Sequence, residues 1–173
     1  TNVCHSFSLN KMKKHYLGYY VLVCFIFCYS EFYGFQKKDS LQKGSLKVVT
    51  WNIQDLGGTK NDAEILFIAK ILKEYDLVAI QEVVAKDPAG VKAVARIVDA
   101  LNRLGSSWDY SISNATKSSS SYASERYAYL WKTAKIRLKK KAFLDKELEY
   151  KIEREPYIGL FEYKQNKVSF YVV

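Results

Sequence analysis

The chain has 173 residues, a formal charge of +9 and 49% apolar side chains. That apolar content excludes wholesale disorder, and the length suits one domain or a large part of one. The basic balance favours polyanionic partners such as nucleic acid or phospholipid headgroups.

The single methionine is Met12, so residues 1–11 read as upstream or appended sequence. From Met12 the basic Lys13 and Lys14 precede an apolar run, Tyr16 to Ser30, which is the layout of a secretory signal. Residues 12–30 are therefore expected to be removed by cleavage before Glu31, with an uncleaved anchor as the alternative, and the protein is expected to be secreted. Cys4, Cys24, Cys28, His5 and His15 all precede Glu31. The exported remainder would hold no thiol, no disulfide framework and no histidine.

Residues 31–45 are polar and lysine-bearing and read as a linker. A strand is predicted over Leu46–Gln54, with the apolar run Lys47–Asn52 ending in an amide. The turn Asp55-Leu56-Gly57-Gly58-Thr59 follows. Asn61 and Glu64 form a capping-box pair opening a helix whose buried stripe is Ile65, Ile68, Leu72 and the adjacent Ile71. The next strand, Leu77–Glu82, ends in a carboxylate. Runs of this kind fit strands buried on both faces, and the strand–helix–strand order brings Asn52 and Glu82 to one edge of a sheet.

Asp87 and Pro88 supply a cap and first-turn pair for a second helix with apolar positions Val91, Val94, Ala95, Val98 and Leu101, and Gly105 suits its C′ position. Strand patterns then recur at Trp108–Ser113, Arg126–Lys132, Ile136–Leu144, Tyr157–Tyr163 and Lys167–Val173, with a flexible loop at Ser118–Ser121. Two βα units followed by strands predict an α/β chain with a mixed sheet. The last strand carries no terminating turn and reads as cut.

Further polar groups stand where these strands begin: Glu125 and Arg126 at one, Arg154 and Glu155 at another, with Gln81 preceding Glu82. By themselves such neighbours are equally well surface charge pairs of little energetic weight. Lys139-Lys140-Lys141 reads first as a solvated edge and second as a nucleic-acid contact.

Taken in order, Thr50-Trp51-Asn52-Ile53-Gln54, Ala79-Ile80-Gln81-Glu82-Val83, Glu125-Arg126-Tyr127 and Arg154-Glu155-Pro156 resemble the endonuclease/exonuclease/phosphatase superfamily, and among it the secreted deoxyribonuclease I-like nucleases. The resemblance runs from residue 46 to 173 and implies the N-terminal half of a four-layer α/β sandwich with flanking helices. It also implies metal-dependent phosphodiester hydrolysis. Glu82 would be the metal ligand for Mg²⁺ (or Ca²⁺ or Mn²⁺), weakly bound here, since such hard cations select oxygen donors. Asn52 would orient that carboxylate or bond the phosphate, Glu125 would orient a catalytic histidine, and Arg154 would contact a substrate phosphate. Tyr122 and Arg126 are possible nucleic-acid contacts.

Departures from the pattern matter too. Close relatives carry arginines at the positions of Gln54 and Val84, and the family's histidine pair and later aspartates would fall beyond Val173. The expectation is a truncated, inactive fragment of a secreted DNA endonuclease. Its partners would be DNA or another phosphodiester and the missing C-terminal half of the domain, without stable membrane association once the signal is removed. A same-fold phosphatase or phospholipase-type phosphodiesterase, or a non-catalytic nucleic-acid-binding module, is the alternative.

Overall fold

A computed structural model describes residues 44–86, 88–117 and 124–173, and the unit it describes spans Gly44–Val173. The signal and most of the linker, together with Asp87 and Tyr122, lie outside the described residues.

The elements follow in the order β1 (Val48–Leu56), α1 (Asp62–Leu72), β2 (Leu77–Val84), α2 (Ala89–Arg103), β3 (Trp108–Ile112), β4 (Glu125–Lys132), β5 (Ile136–Leu144), a 3₁₀ turn (Lys146–Leu148), β6 (Tyr157–Tyr163) and β7 (Val168–Val172). They form a mixed four-stranded sheet ordered β1-β2-β4-β3 and an antiparallel three-stranded sheet ordered β5-β6-β7. β1 and β2 are parallel, joined through α1, whereas β2–β4 and β3–β4 are antiparallel.

Both helices form where local chemistry asks for them. Asn61 accepts from the Glu64 amide at 3.0 Å while Glu64 accepts from the Asn61 amide at 2.8 Å, closing the predicted capping box. α1 buries Ile65, Ile68, Ala69 and Leu72. Ile71 was expected in that stripe but is 37% exposed, because its position has turned past the sheet-facing side. α2 starts at Ala89 with Pro88 in the capping position, one residue later than predicted. Its core face is Ala93, Val94, Ile97, Val98, Ala100 and Leu101, with Val91 and Ala95 only half-buried. Gly105 follows the helix at φ +102°, a conformation that favours glycine. At the other end of α2 a Cβ on Gly90 would lie 2.1 Å from the Val84 carbonyl oxygen, so only glycine lets the helix approach the end of β2 this closely.

Two apolar layers result. Helices and one face of the mixed sheet enclose Leu56, Leu72, Ile80, Val83, Ile97, Leu101 and Leu130. The other face packs on the three-stranded sheet through Leu77, Tyr129, Trp131, Ile136, Tyr157 and Phe161. Tyr129 stacks on Tyr157 at 4.9 Å and meets Phe161 edge-on at 5.3 Å, and its hydroxyl donates to the carbonyls of Tyr157 and Val172. The chain is thus an α/β structure of helices, sheet and sheet.

β1 corrects one expectation. It is the edge of its sheet, with Ile53 and Leu56 its only buried residues, so it is not covered on both faces. Lys139, Lys140 and Lys141 are all exposed on β5, another edge, where two register shifts interrupt the pairing with β6. Lysines and bulges are common guards of an edge strand.

Asp76 closes the start of β2. It is 1% exposed, yet its carboxylate accepts from the Lys47 amide at 3.1 Å and meets Lys135 Nζ at 2.9 Å and Lys132 Nζ at 3.4 Å. Burial alone would raise its pKa, but the hydrogen bonds from Lys135 and Lys47 and the charges of both lysines outweigh it, holding the carboxyl below 3.8. A depressed carboxylate pKa contributes stability above the unfolded-state value and loses it as pH falls through the folded value. Asp76→Ala is expected to cost roughly 2 kcal/mol in urea unfolding at neutral pH, because the Lys47 amide and the largely covered Lys132 ammonium lose their acceptor. The gap between the variant and the parent chain should shrink as pH is lowered below 3.8.

Candidate functional site

The parallel ladder of β1 and β2 runs regularly from Val48 opposite Leu77 to Asn52 opposite Gln81, then shifts so that Leu56 faces Val83. On the other side of β2 the pairing with β4 shifts between Ile80 and Val83. The two strands were expected to stop at Gln54 and Glu82. Instead they continue through bulges, since Leu56 and Val83 further along are fully buried and draw the chain back to the core. The bulges carry two non-glycine residues in the left-handed region, Asp55 at φ +51° and Glu82 at φ +56°. A side chain there costs about 1–2 kcal/mol in the backbone. Such strain persists where the surroundings over-determine it, and it gathers at working sites.

The result is that Asn52 Nδ2 donates to Glu82 Oε1 at 2.8 Å. One rung earlier Gln81 Nε2 donates to Thr50 Oγ1 at 2.7 Å, a second side-chain tie between the strands. Glu82 is half-buried and Asn52 exposed, so the pair is open to solvent on one side.

Beside it, β4 runs antiparallel to β2 and brings Glu125 opposite Val84. Glu125 is 7% exposed. Its amide donates to Thr116 Oγ1 at 3.0 Å, and its Oε2 lies 3.7 Å from Arg154 Nη1. Burial pushes its pKa up. A hydrogen bond from Tyr127 and the Arg154 charge act the other way, and the nearby charges of Glu82 and Glu153 add to the rise. Glu82 and Glu125 therefore feel each other. Burial also raises the Tyr127 hydroxyl well above its ordinary value, with the Glu125 charge and hydrogen bond adding to the effect.

Glu155 is 2% exposed and accepts twice from the Lys117 amide, at 2.8 and 3.0 Å. Ser124 Oγ donates to the Thr116 carbonyl at 2.7 Å. Together these bonds clamp both stems of the segment leading into β4. Arg126 donates to the Ala85 carbonyl at 3.1 Å and the Ser113 carbonyl at 3.0 Å, stitching the end of β2 to the segment after β3. Tyr127 and Glu155 stood in the sequence reading only as parts of the Glu125-Arg126-Tyr127 and Arg154-Glu155-Pro156 matches, with no role given, and Thr116 was missed. Strand alternation, which places residues 125 and 127 on one face, is the further signal for Tyr127.

A hard oxygen donor such as Glu82 fits a hydrated Mg²⁺, which is often held by one or two carboxylates and keeps several waters. Among the described residues no three His, Cys, Asp or Glu side chains gather to form a denser cage.

No protein-family model matches the chain. Over 136 residues it is 27% identical to deoxyribonuclease-1 of Oryctolagus cuniculus, a match covering 75% of this chain and 47% of that protein. Its fold is similar to an endonuclease/exonuclease/phosphatase family protein from Leptotrichia buccalis C-1013-b, with a TM-score of 0.52, 15% identity and coverage of 75% and 53% of the two chains. The chain thus spans about half the length of the proteins it matches.

The left-handed backbone at position 82 carries a stability cost that can be measured. Both Glu82→Ala and Glu82→Gly lose the bond to Asn52, so their difference isolates the backbone: in denaturant unfolding Glu82→Gly should be about 1 kcal/mol more stable than Glu82→Ala. A Glu82→Ala protein as stable as Glu82→Gly would show that the backbone at 82 is unstrained.

Proposed function

We propose that the chain belongs to the endonuclease/exonuclease/phosphatase superfamily, on its deoxyribonuclease I-like side, and that it contributes the metal- and phosphate-holding part of an exported DNA endonuclease; the 27% identity to deoxyribonuclease-1 and the similar fold support this reading. The observation that carries this reading is the strained Glu82 bonded to Asn52 at 2.8 Å, next to a buried Glu125 paired with Arg154. Stored strain, two interacting carboxylates and an arginine at one rim suit phosphodiester chemistry better than a structural ion pair. Export is supported by the charged start and apolar run of residues 12–30.

In this reading Glu82 holds a divalent cation, Mg²⁺ or else Ca²⁺ or Mn²⁺, and Asn52 fixes the rotamer of that carboxylate. Such an ion supplies Lewis-acid polarisation of a phosphoryl oxygen. Arg154, with its side chain 40% exposed, offers a planar fork to a substrate phosphate. Glu125 is placed to orient a proton-carrying partner. The sequence from residue 44 to 173 contains no histidine or cysteine, so proton transfer to and from the reacting oxygens falls to groups outside it. We therefore expect this chain to bind but not to cut, with a polypeptide matching the remaining half of the relatives as its partner in activity.

Supercoiled plasmid and Mg²⁺ provide the test. The purified chain should bind duplex DNA with an affinity that falls as salt rises and should leave the plasmid unnicked. Arg154→Ala should weaken binding roughly tenfold, the equivalent of about one charge-assisted hydrogen bond. Nicking by the chain alone that disappears in Glu82→Ala would overturn the inactivity. Preference for lipid headgroups or small phosphodiesters over DNA would overturn the substrate.

A further inference from the structure

Of the seven asparagines in the chain, only Asn114 opens an Asn-x-Ser/Thr triplet, Asn114-Ala115-Thr116, with a residue other than proline in the middle. That pattern is the acceptor for N-linked oligosaccharide, which takes a side-chain amide at the surface and a hydroxyl two residues on. The triplet lies in the irregular segment after β3. Two hydroxyl residues pin this segment, Ser113 and Thr116, each 3% exposed. Ser113 Oγ accepts from the Tyr127 amide at 2.9 Å and donates to the Asn114 carbonyl at 2.6 Å. The Thr116 amide donates to the Glu125 carbonyl at 2.8 Å, and Thr116 Oγ1 accepts from the Glu125 amide at 3.0 Å. Between these anchors Asn114 is exposed.

We propose that Asn114 is an N-glycosylation site, modified before the chain folds, so that the exported protein carries an oligosaccharide on the segment bonded to the start of β4. This rests on the export reading of residues 12–30 and not on nuclease chemistry. Asn114 Nδ2 attacks the anomeric carbon of an oligosaccharide linked to a lipid pyrophosphate. A carbon–nitrogen bond forms, the anomeric carbon–oxygen bond breaks, the amide gives up one proton and the lipid pyrophosphate leaves. The fold sets the order of events. The hydroxyl that the triplet requires belongs to Thr116, which in the folded chain is buried and accepts the Glu125 amide. The triplet is therefore readable only before β4 pairs with β2 and β3. Once the chain folds, the same hydroxyl holds the first residue of β4. A bulky, hydrated group on Asn114 displaces no packed side chain, because that residue is exposed.

The test is translation of the full chain in the presence of microsomes, with protection from added protease reporting translocation separately from modification. Protected chain should gain mass and return to its unmodified mass after treatment with peptide N-glycosidase. Asn114→Gln and Thr116→Val should abolish the gain, whereas Thr116→Ser keeps a hydroxyl and should retain it. Because modification precedes folding, these readouts do not require the variants to fold. Chain folded without glycan and then offered purified oligosaccharyltransferase and lipid-linked oligosaccharide should stay unmodified. Protected chain that lacks the glycan overturns the site, as does a mass gain that survives Asn114→Gln. Modification of the already folded chain overturns the order of events. Chain that is not protected sinks the export reading instead. The full chain placed behind the secretion signal of another protein then decides the site by the same gain in mass.

Discussion

Everything at the candidate site depends on two neighbouring strands that start in register and then part. Up to Asn52 and Gln81 the parallel ladder is regular, and each residue's face is set by alternation. Past that point Leu56 and Val83, both fully buried, must reach the helix-side core. Extra residues are taken up as bulges, and Glu82 is left in a left-handed conformation that a free chain would avoid. Ile80 and Val83 on either side of it are 1% and 0% exposed, so relaxing Glu82 would pull apolar side chains out of the core. Burying those side chains is worth about 1.5–3 kcal/mol each, which exceeds the backbone cost and keeps the carboxylate aimed where it is.

The second sheet serves the same rim from the other side. Its inner face gives a layer of aromatic contacts, Tyr157 on Tyr129 and Tyr127, and Phe161 against Tyr129 and Trp131. These rings are large and stiff, so they fix the spacing of the two sheets. That spacing lets Arg154, in the connection before β6, meet Glu125 at the start of β4. Asp76 does comparable work at the start of β2, gathering Lys47, Lys132 and Lys135 from three segments.

Much of the element structure was legible in the amino-acid order. Helical periodicity, the Asn61 and Glu64 box and the Gly105 terminator marked both helices, because each depends on residues a few positions apart. The strand order along the chain and the positions of Glu82 and Glu125 near strand ends were legible for the same reason, whereas Asn52 falls in the middle of β1. The misjudged points all involve neighbours from elsewhere. β1 has apolar residues yet lies at an edge, and Ile71 has helical spacing yet faces outward. Apolar character does not say which side of an element will be covered.

The sequence by itself determined the kinds of element, their order and the chemistry available: oxygen ligands, an arginine, and no histidine between residues 44 and 173. Only the tertiary structure decided that Asn52 bonds Glu82 thirty positions away, that both strands bulge there, and that Arg154 meets Glu125. Local chemistry acts over a turn of helix or a pair of strand residues. Contacts between distant segments exist only once the two apolar layers have closed and dictated which side chains share a rim.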